Sequence, residues 1–298
     1  MKKSLLPLLF LLAALPLASC GAADAERVDL YAFADSSLSR SLDAIAQRYQ
    51  LRAPNVRLRV QYGSSGNLAA QIREGAPCDV FLCASASLMD SIDGDFFGVW
   101  ERNPENLDLL LPNSRTDFLE NQLVLAVPTG NPKGIRNFAH LSALLKQRGF
   151  LLSAAAVGDP LGDYTGKLFD YYHLNERATS GGVAYAENAT ETASRVRSGI
   201  ADGAILYRSD ADGLTVIDTA DESMCGKIVY SAAALADTAH EPQAFEFLDY
   251  LIGAEASDIF QRDGFSLPSE DETPSEEESQ VQAVWEPYWE AVLPEDLA

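Results

Sequence analysis

The chain of 298 residues is long enough for two domains of ordinary size, and its 47% hydrophobic and 22% charged residues allow packed cores, which excludes wholesale disorder. Its formal net charge of -22 argues against nucleic acid or an anionic lipid surface as a partner, because both would be repelled.

The N-terminus has the pattern of an export signal. Lys2 and Lys3 precede an apolar run at 5–17, which is too short to span a bilayer as a stable helix. The Leu-Ala-Ser-Cys sequence ending at Cys20 resembles the lipobox at which bacterial lipoproteins are cleaved and diacylated. We therefore expect residues 1–20 to be the signal peptide and lipobox, and a lipid on Cys20 to anchor the chain to the outer face of the cell membrane, periplasmic or extracellular. The alternative is a plain secreted protein that loses Cys20 with its signal.

Next, β-rich runs alternate with amphipathic segments, which predicts an α/β fold with mostly parallel strands. The first half is predicted to contain strands at 28–33, 56–62, 79–83 and 121–127, helices at 37–49 and 67–74, and a long loop at 93–118. The second half is predicted to contain strands at 151–157, 183–185, 203–207, 214–217 and 228–235 and helices at 138–146, 166–173, 190–198, 242–252 and 255–262.

This order predicts two lobes with a cleft between them, because ligands bind outside the carboxyl ends of strands in such folds. We expect 24–124 and 229–268 to form the first lobe and 125–228 the second. The remaining segment, 269–298, is an acidic tail that contains no lysine or arginine, and such runs are usually solvated.

Three cysteines remain once Cys20 is set aside. Cys78 and Cys83 flank a predicted strand and would lie roughly 16 Å apart, beyond disulfide reach. Either Cys225 bridges one of them, or all three are buried thiols. A metal site is not expected, because no histidine has a cysteine or second histidine at ligand spacing, and no cofactor motif is present.

Enzyme motifs are also missing, whereas several turns before predicted helices carry small hydroxyl residues. Ser37 and Ser65 lie at two such turns, and 158–166 and 186–190 supply two more. The start of a helix offers free backbone N–H groups and the positive end of the helix dipole, which suit an anion. Neutral donors of this kind can hold a dianion without a lysine or arginine.

Several motifs resemble the molybdate-binding proteins of bacterial ABC importers from about Val28 to Phe265. The matching stretches are Phe33-Ala34-Asp35-Ser36-Ser37-Leu38, Gly63-Ser64-Ser65-Gly66-Asn67-Leu68-Ala69-Ala70-Gln71-Ile72, Gly75-Ala76-Pro77-Cys78-Asp79-Val80-Phe81, Val157-Gly158-Asp159-Pro160, Ala186-Glu187-Asn188 and Ile205-Leu206-Tyr207-Arg208-Ser209-Asp210-Ala211. The resemblance implies a two-lobed α/β fold of the periplasmic-binding-protein type II class, with hinge strands between the lobes. It also implies a monomer that is not an enzyme, that captures molybdate or tungstate, and that delivers it to a membrane permease.

The resemblance implies oxyanion contacts from three side chains and two backbone amides: the hydroxyls of Ser37, Ser65 and Tyr207 and the N–H groups of Thr165 and Ala189. Without it, the two serines would more often be helix caps and the tyrosine a packed core residue. The chain departs from the family at Asp35 and Thr165, where relatives often carry alanine. A carboxylate at position 35 would repel a dianion unless it points away.

Other functions stay open at this stage. Sulfate is a second oxyanion candidate, although its smaller size would leave donors unpaired in a rigid pocket. Ferric iron is suggested by Tyr171 and Tyr172 beside His173, because paired phenolates suit that ion. A hydrolase using Ser65 would need a nearby base, and the histidines, His140, His173 and His240, fall away from the binding turns.

Overall fold

The computed structural model of the protein describes residues 27–175 and 181–268. Cys20 and the acidic tail lie outside these residues, so the predictions made for them stay predictions. Within the described ranges, no helix is long and apolar enough to cross a membrane.

The strands are short and mostly buried, as expected for sheets covered by helices. They are β1 (Val28–Asp35), β2 (Val56–Gly63), β3 (Val80–Cys83), β4 (Thr116–Asn121), β5 (Leu123–Val127), β6 (Leu152–Ala155), β7 (Val183–Ala186), β8 (Gly203–Tyr207), β9 (Thr215–Thr219) and β10 (Ile228–Ala234). The α-helices are α1 (Ser39–Arg52), α2 (Ser65–Arg73), α3 (Ala86–Asp90), α4 (Phe138–Leu144), α5 (Pro160–Tyr171), α6 (Ala189–Arg197), α7 (Glu222–Cys225), α8 (Glu241–Leu251) and α9 (Ala254–Arg262). Single 3-10 turns lie at Ser36–Leu38, Gly94–Phe96 and Arg208–Asp210.

The strands form two five-stranded sheets, in the orders β2-β1-β3-β10-β4 and β7-β6-β8-β5-β9. The chain leaves the first sheet at Asn121, enters the second at Leu123, and is back in the first at Ile228. This arrangement confirms the predicted α/β fold with two lobes. The lobe boundaries predicted at 124/125 and 228/229 stay predictions.

Two details of the predicted strands are wrong. The strands are not mostly parallel, because β10 runs antiparallel to both β3 and β4, and β5 runs antiparallel to both β8 and β9. The single strand predicted at 121–127 is two strands in different sheets, joined at Gln122. Three consecutive polar residues, Glu120, Asn121 and Gln122, mark the junction, and the prediction of a single strand overlooked this break in the apolar pattern.

One helix boundary is also wrong. The helix predicted at 166–173 begins six residues earlier, at Pro160, and Asp159 is its N-cap, with a carboxylate oxygen that accepts from the Leu161 N–H at 3.0 Å. Proline fits the first position of a helix because its missing N–H would have no intrahelical acceptor there. The short helices α3 and α7 lie in segments where no helix was predicted.

The apolar core is continuous across the two sheets, and a second cluster around Phe33, Leu68 and Phe81 covers the other side of the first sheet. Cys78, Cys83 and Cys225 are buried free thiols, which decides the open question of their pairing. Burial raises the pKa of Cys78 and of Cys83 to about 12, so these thiols stay protonated at neutral pH.

Candidate functional site

The first binding turn follows β1, which ends at the carboxyl edge of the first sheet. The backbone N–H of Ser37 donates to Asp35 Oδ1 at 3.0 Å, and the Ser37 hydroxyl donates to the same oxygen at 2.6 Å. Asp35 thus caps the 3-10 turn that leads into α1. Both side chains are buried.

The second binding turn follows β2, which lies beside β1 in parallel, so both strands end at the same edge of the sheet. Ser65 is the first residue of α2 and is fully buried. Its hydroxyl donates to Asp35 Oδ2 at 2.5 Å and accepts from the backbone N–H of Ala84 at 3.1 Å. The two predicted serines therefore meet at one carboxyl group.

Tyr230 on β10 extends this hydrogen-bond network. Its hydroxyl lies 2.8 Å from Ser37 Oγ, and Asn121 Nδ2 donates to it at 3.3 Å. A serine hydroxyl has one proton, which Ser37 gives to Asp35, so Tyr230 is the donor to Ser37. The hydrogen bonds thus form a chain in which Asn121 donates to Tyr230, Tyr230 donates to Ser37, and Ser37 donates to the Asp35 carboxylate.

The second lobe brings the start of α6 against this network. Ala189 is the first residue of α6, so its backbone N–H has no intrahelical acceptor. Its neighbour Thr190 donates through its hydroxyl to the Ser36 carbonyl at 3.1 Å. The start of a helix from the second lobe is thereby held next to the Ser37 turn of the first.

A second contact closes the cleft near α2. A Cβ atom at Gly66 would lie 1.9 Å from the carbonyl oxygen of Gly158, a distance that no real side chain can adopt. Only glycine lets the start of α2 approach the turn before α5 this closely.

Tyr207 is the last residue of β8 and is fully buried. Its ring packs edge-on against Tyr230, with centroids 5.9 Å apart. Its hydroxyl has no hydrogen-bond partner among the described residues. Buried hydroxyls are usually paired, so this one is a free donor beside the network that contains Ser37.

Thr165 does not lie at the start of a helix, contrary to the geometry expected from the sequence. It is the sixth residue of α5, where a backbone N–H bonds the carbonyl four residues earlier, and its hydroxyl donates to the Leu161 carbonyl at 2.7 Å. The misplaced helix start is the reason for the difference. A ligand contact from Thr165 stays a prediction.

Comparison with known proteins agrees with this geometry. Residues 30–266 match the family described as bacterial extracellular solute-binding protein. The chain belongs to this family. It is 28% identical to the molybdate-binding protein ModA of Escherichia coli over 269 residues, 87% of this chain and 97% of that one. It is 27% identical to ModA of Mycobacterium tuberculosis over 246 residues, 79% of this chain and 84% of that one.

The fold of this solute-binding protein also matches a solved structure, the periplasmic molybdate-binding protein of Azotobacter vinelandii. The TM-score is 0.68 at 21% sequence identity, with 80% of this chain and all of that chain covered. At this level of identity the likeness shows the fold alone.

Three carboxyl groups surround the site of this solute-binding protein: Asp35 and Asp159, which are buried, and Asp210, which is half-buried. Burial, and then the charge of Asp35, raise the pKa of Asp159 to about 8 and that of Asp210 to about 7. Burial also raises the pKa of Asp35, against the lowering effect of hydrogen bonds from Ser37 and Ser65. A carboxylate with a raised pKa takes up a proton readily and becomes neutral, so it repels an anion less than an exposed aspartate would.

The phenols at the site are neutral donors. Burial raises the pKa of Tyr207 and of Tyr230 well above the ordinary value of 10.0, and nearby acidic groups raise it further. Both hydroxyls therefore keep their protons at any physiological pH.

Sequence reasoning missed Asp159, Asp210 and Tyr230. The first two lie inside motifs that matched the family, so the signal was present but was assigned to the fold. Tyr230 lies in a strand whose pattern shows only burial. Asp35 was identified in the sequence as a departure from the family, but its hydrogen bonds to Ser37 and Ser65 were not predicted.

The residues behind the two other candidate functions have structural partners. Tyr172 stacks on Phe138 with ring centroids 6.0 Å apart, and its hydroxyl contacts the sulfur of Met224. The Ser65 hydroxyl is bonded to Asp35 and Ala84. Tyr172 and Ser65 therefore both have packing or hydrogen-bond roles within the fold, while the Tyr171 ring lies edge-on to that of Tyr172, with centroids 5.0 Å apart.

Proposed function

We propose that this chain is the extracytoplasmic binding lipoprotein of an ABC importer that captures molybdate, and tungstate with it, and passes it to a membrane permease. The relatives named above that bind molybdate support the choice of ligand. The lipobox at Cys20 supports the lipid anchor. On this proposal the protein binds its ligand without transforming it.

The observation that carries the proposal is the contact of Thr190 with the Ser36 carbonyl. It holds the start of α6, from the second sheet, against the Ser37 turn from the first. The start of α6, whose Ala189 N–H has no intrahelical acceptor, then lies beside the turn that carries the Ser37 hydroxyl. Donors from both lobes at one buried place support capture of an anion.

The donors there are uncharged. They comprise the hydroxyls of Ser37, Ser65 and Tyr207 and the backbone N–H of Ala189, with a contact from Thr165 as a further prediction. A hydrogen bond to a charged acceptor contributes about 1.5 to 3 kcal/mol, so four or five of them hold a dianion without a counter-charge. Molybdate and tungstate have nearly the same size and charge, so donors of this kind do not separate them.

Isothermal titration of the purified protein with molybdate, tungstate, sulfate, phosphate and ferric citrate tests the proposal. We expect tight binding of molybdate and tungstate and much weaker binding of the other three. Sulfate is smaller and leaves donors unpaired in a closed pocket. Tight binding of sulfate or ferric citrate without binding of molybdate would overturn the proposal.

A further inference from the structure

The hydroxyls of Ser37 and Ser65 are already hydrogen-bonded to an acidic side chain of the protein, the Asp35 carboxylate. Both oxygens of the Asp35 carboxylate are engaged: Oδ1 by the N–H and hydroxyl of Ser37, and Oδ2 by the hydroxyl of Ser65. Two of the hydroxyls expected to hold an oxyanion are therefore turned toward the side chain of Asp35.

Each serine hydroxyl has a single proton and can make one donor bond at a time. For Ser37 and Ser65 to donate to a ligand, both must rotate away from Asp35. The carboxylate then keeps only the backbone N–H groups of Ser37 and Ser65, and it is left buried next to a dianion. An ionised carboxylate in that position would be strongly destabilised, because it is buried and lies beside a second negative charge.

Among residues 27–175 and 181–268, no group that acts on Asp35 supplies a compensating positive charge. The titratable groups coupled to it come from β3, the N-cap of α5, β8, the turn after β8, and β10: Cys83, Asp159, Tyr207, Asp210 and Tyr230. All of them are acids that are either neutral or negative. Arg40 and Arg197 act on Asp210, and no cation is among the groups that act on Asp35 itself.

We infer that oxyanion capture is coupled to a proton through Asp35: the dianion enters the pocket together with one proton from solvent, which is shared between the Asp35 carboxyl and a ligand oxygen. This inference rests on the proposed function. The carboxylate carries one negative charge, the dianion two and the proton one positive charge. The complex therefore carries two negative charges instead of three.

Two further features support the coupling. The pKa of Asp35 is already raised by burial before a second negative charge arrives. A protonated Asp35 also gains an O–H that donates to the ligand, so it replaces the lost serine bonds with one that strengthens the complex.

The test is titration calorimetry with molybdate in pairs of buffers that differ in ionisation enthalpy, from about pH 6 to about pH 9, which gives the number of protons taken up. We expect uptake of about one proton above the pKa of Asp35 and an affinity that falls about tenfold per pH unit there. In the Asp35→Asn variant we expect the number of protons taken up to fall by about one, and the affinity to depend correspondingly less on pH, than in wild type. Asparagine keeps the N-cap acceptor for Ser37, and Asp35→Ala is the second variant should the first not fold.

Asp159→Asn and Asp210→Asn show whether the proton resides on another carboxyl, and we expect both variants to keep the uptake. Uptake lost in either of these but kept in Asp35→Asn would overturn the inference. So would equal affinities and pH profiles for wild type and Asp35→Asn, or wild-type binding without uptake at every pH. Absence of binding to all tested oxyanions, by wild type and Asp35→Asn alike, would instead refute the proposed function.

Discussion

Replacing Tyr207 with phenylalanine should weaken ligand binding and at the same time stabilise the ligand-free protein. The Tyr207 hydroxyl is fully buried and has no partner among the described residues. A buried unsatisfied polar group costs about 1 to 3 kcal/mol, so its removal should raise the free energy of unfolding by up to that amount. In the complex the same hydroxyl is expected to donate to a charged oxygen. That bond is worth about 1.5 to 3 kcal/mol, or a rise of about 10- to 150-fold in Kd.

Tyr230→Phe is the matched control, because it removes the same atom from a ring in edge-on contact with Tyr207. The Tyr230 hydroxyl is bonded to Ser37 and Asn121, so its loss should lower the free energy of unfolding by about 1 to 3 kcal/mol. Urea denaturation without ligand gives both stabilities, and calorimetric titration with molybdate gives both affinities. A shift of stability in the same direction in both variants, together with wild-type affinity in Tyr207→Phe, would show that the Tyr207 hydroxyl is not a free donor to the ligand.

Three further changes have clear expected outcomes. The pKa of Asp159 is raised from 3.8 to about 8, so between these pH values the native state keeps a proton that the unfolded chain loses. The free energy of unfolding should therefore fall as pH rises from about 4 to about 8. In Asp159→Asn, the free energy of unfolding measured by urea denaturation should depend less on pH. Gly66→Ala should prevent cleft closure, because the added Cβ would collide with Gly158, and should raise Kd at least about tenfold. Its control is Gly166→Ala, in an open helical position, which should bind normally and be about 0.5 to 1 kcal/mol more stable. Calorimetry measures the affinities of the two variants, and thermal unfolding measures their stabilities. Ser37→Ala should weaken binding by about 1 to 3 kcal/mol without unfolding the chain, and unchanged affinity in a titration would remove it from the site.

Much of the fold could be predicted from local pattern. The limits of β8 were predicted without error, because its run of apolar residues ends in a polar turn at Arg208. The change of sheet at Gln122 was not predicted. The polar residues Glu120, Asn121 and Gln122 interrupt the apolar pattern there, but the strands that pair on either side of the junction are far away in sequence. The start of α5 was missed because Asp159-Pro160 is compatible both with a turn and with an N-cap followed by proline.

The site was predictable as a set of donors but not as a network. Ser37 and Ser65 could be named from their turns and from the family resemblance. Their shared partner Asp35 depends on β1 and β2 ending side by side, and Ser65 is 30 residues away from it in the chain. The unpaired hydroxyl of Tyr207 likewise depends on what surrounds it after folding, which residue patterns do not record.

The most direct test of the central claim is a crystal structure of the protein grown with tungstate, with the metal located by its anomalous scattering. We expect a single strong peak in the cleft, with oxygen atoms within hydrogen-bond distance of Ser37, Ser65, Tyr207 and the Ala189 N–H, and with no lysine or arginine in contact. A peak bound by basic side chains elsewhere on the surface, or an empty cleft at saturating tungstate, would contradict the account.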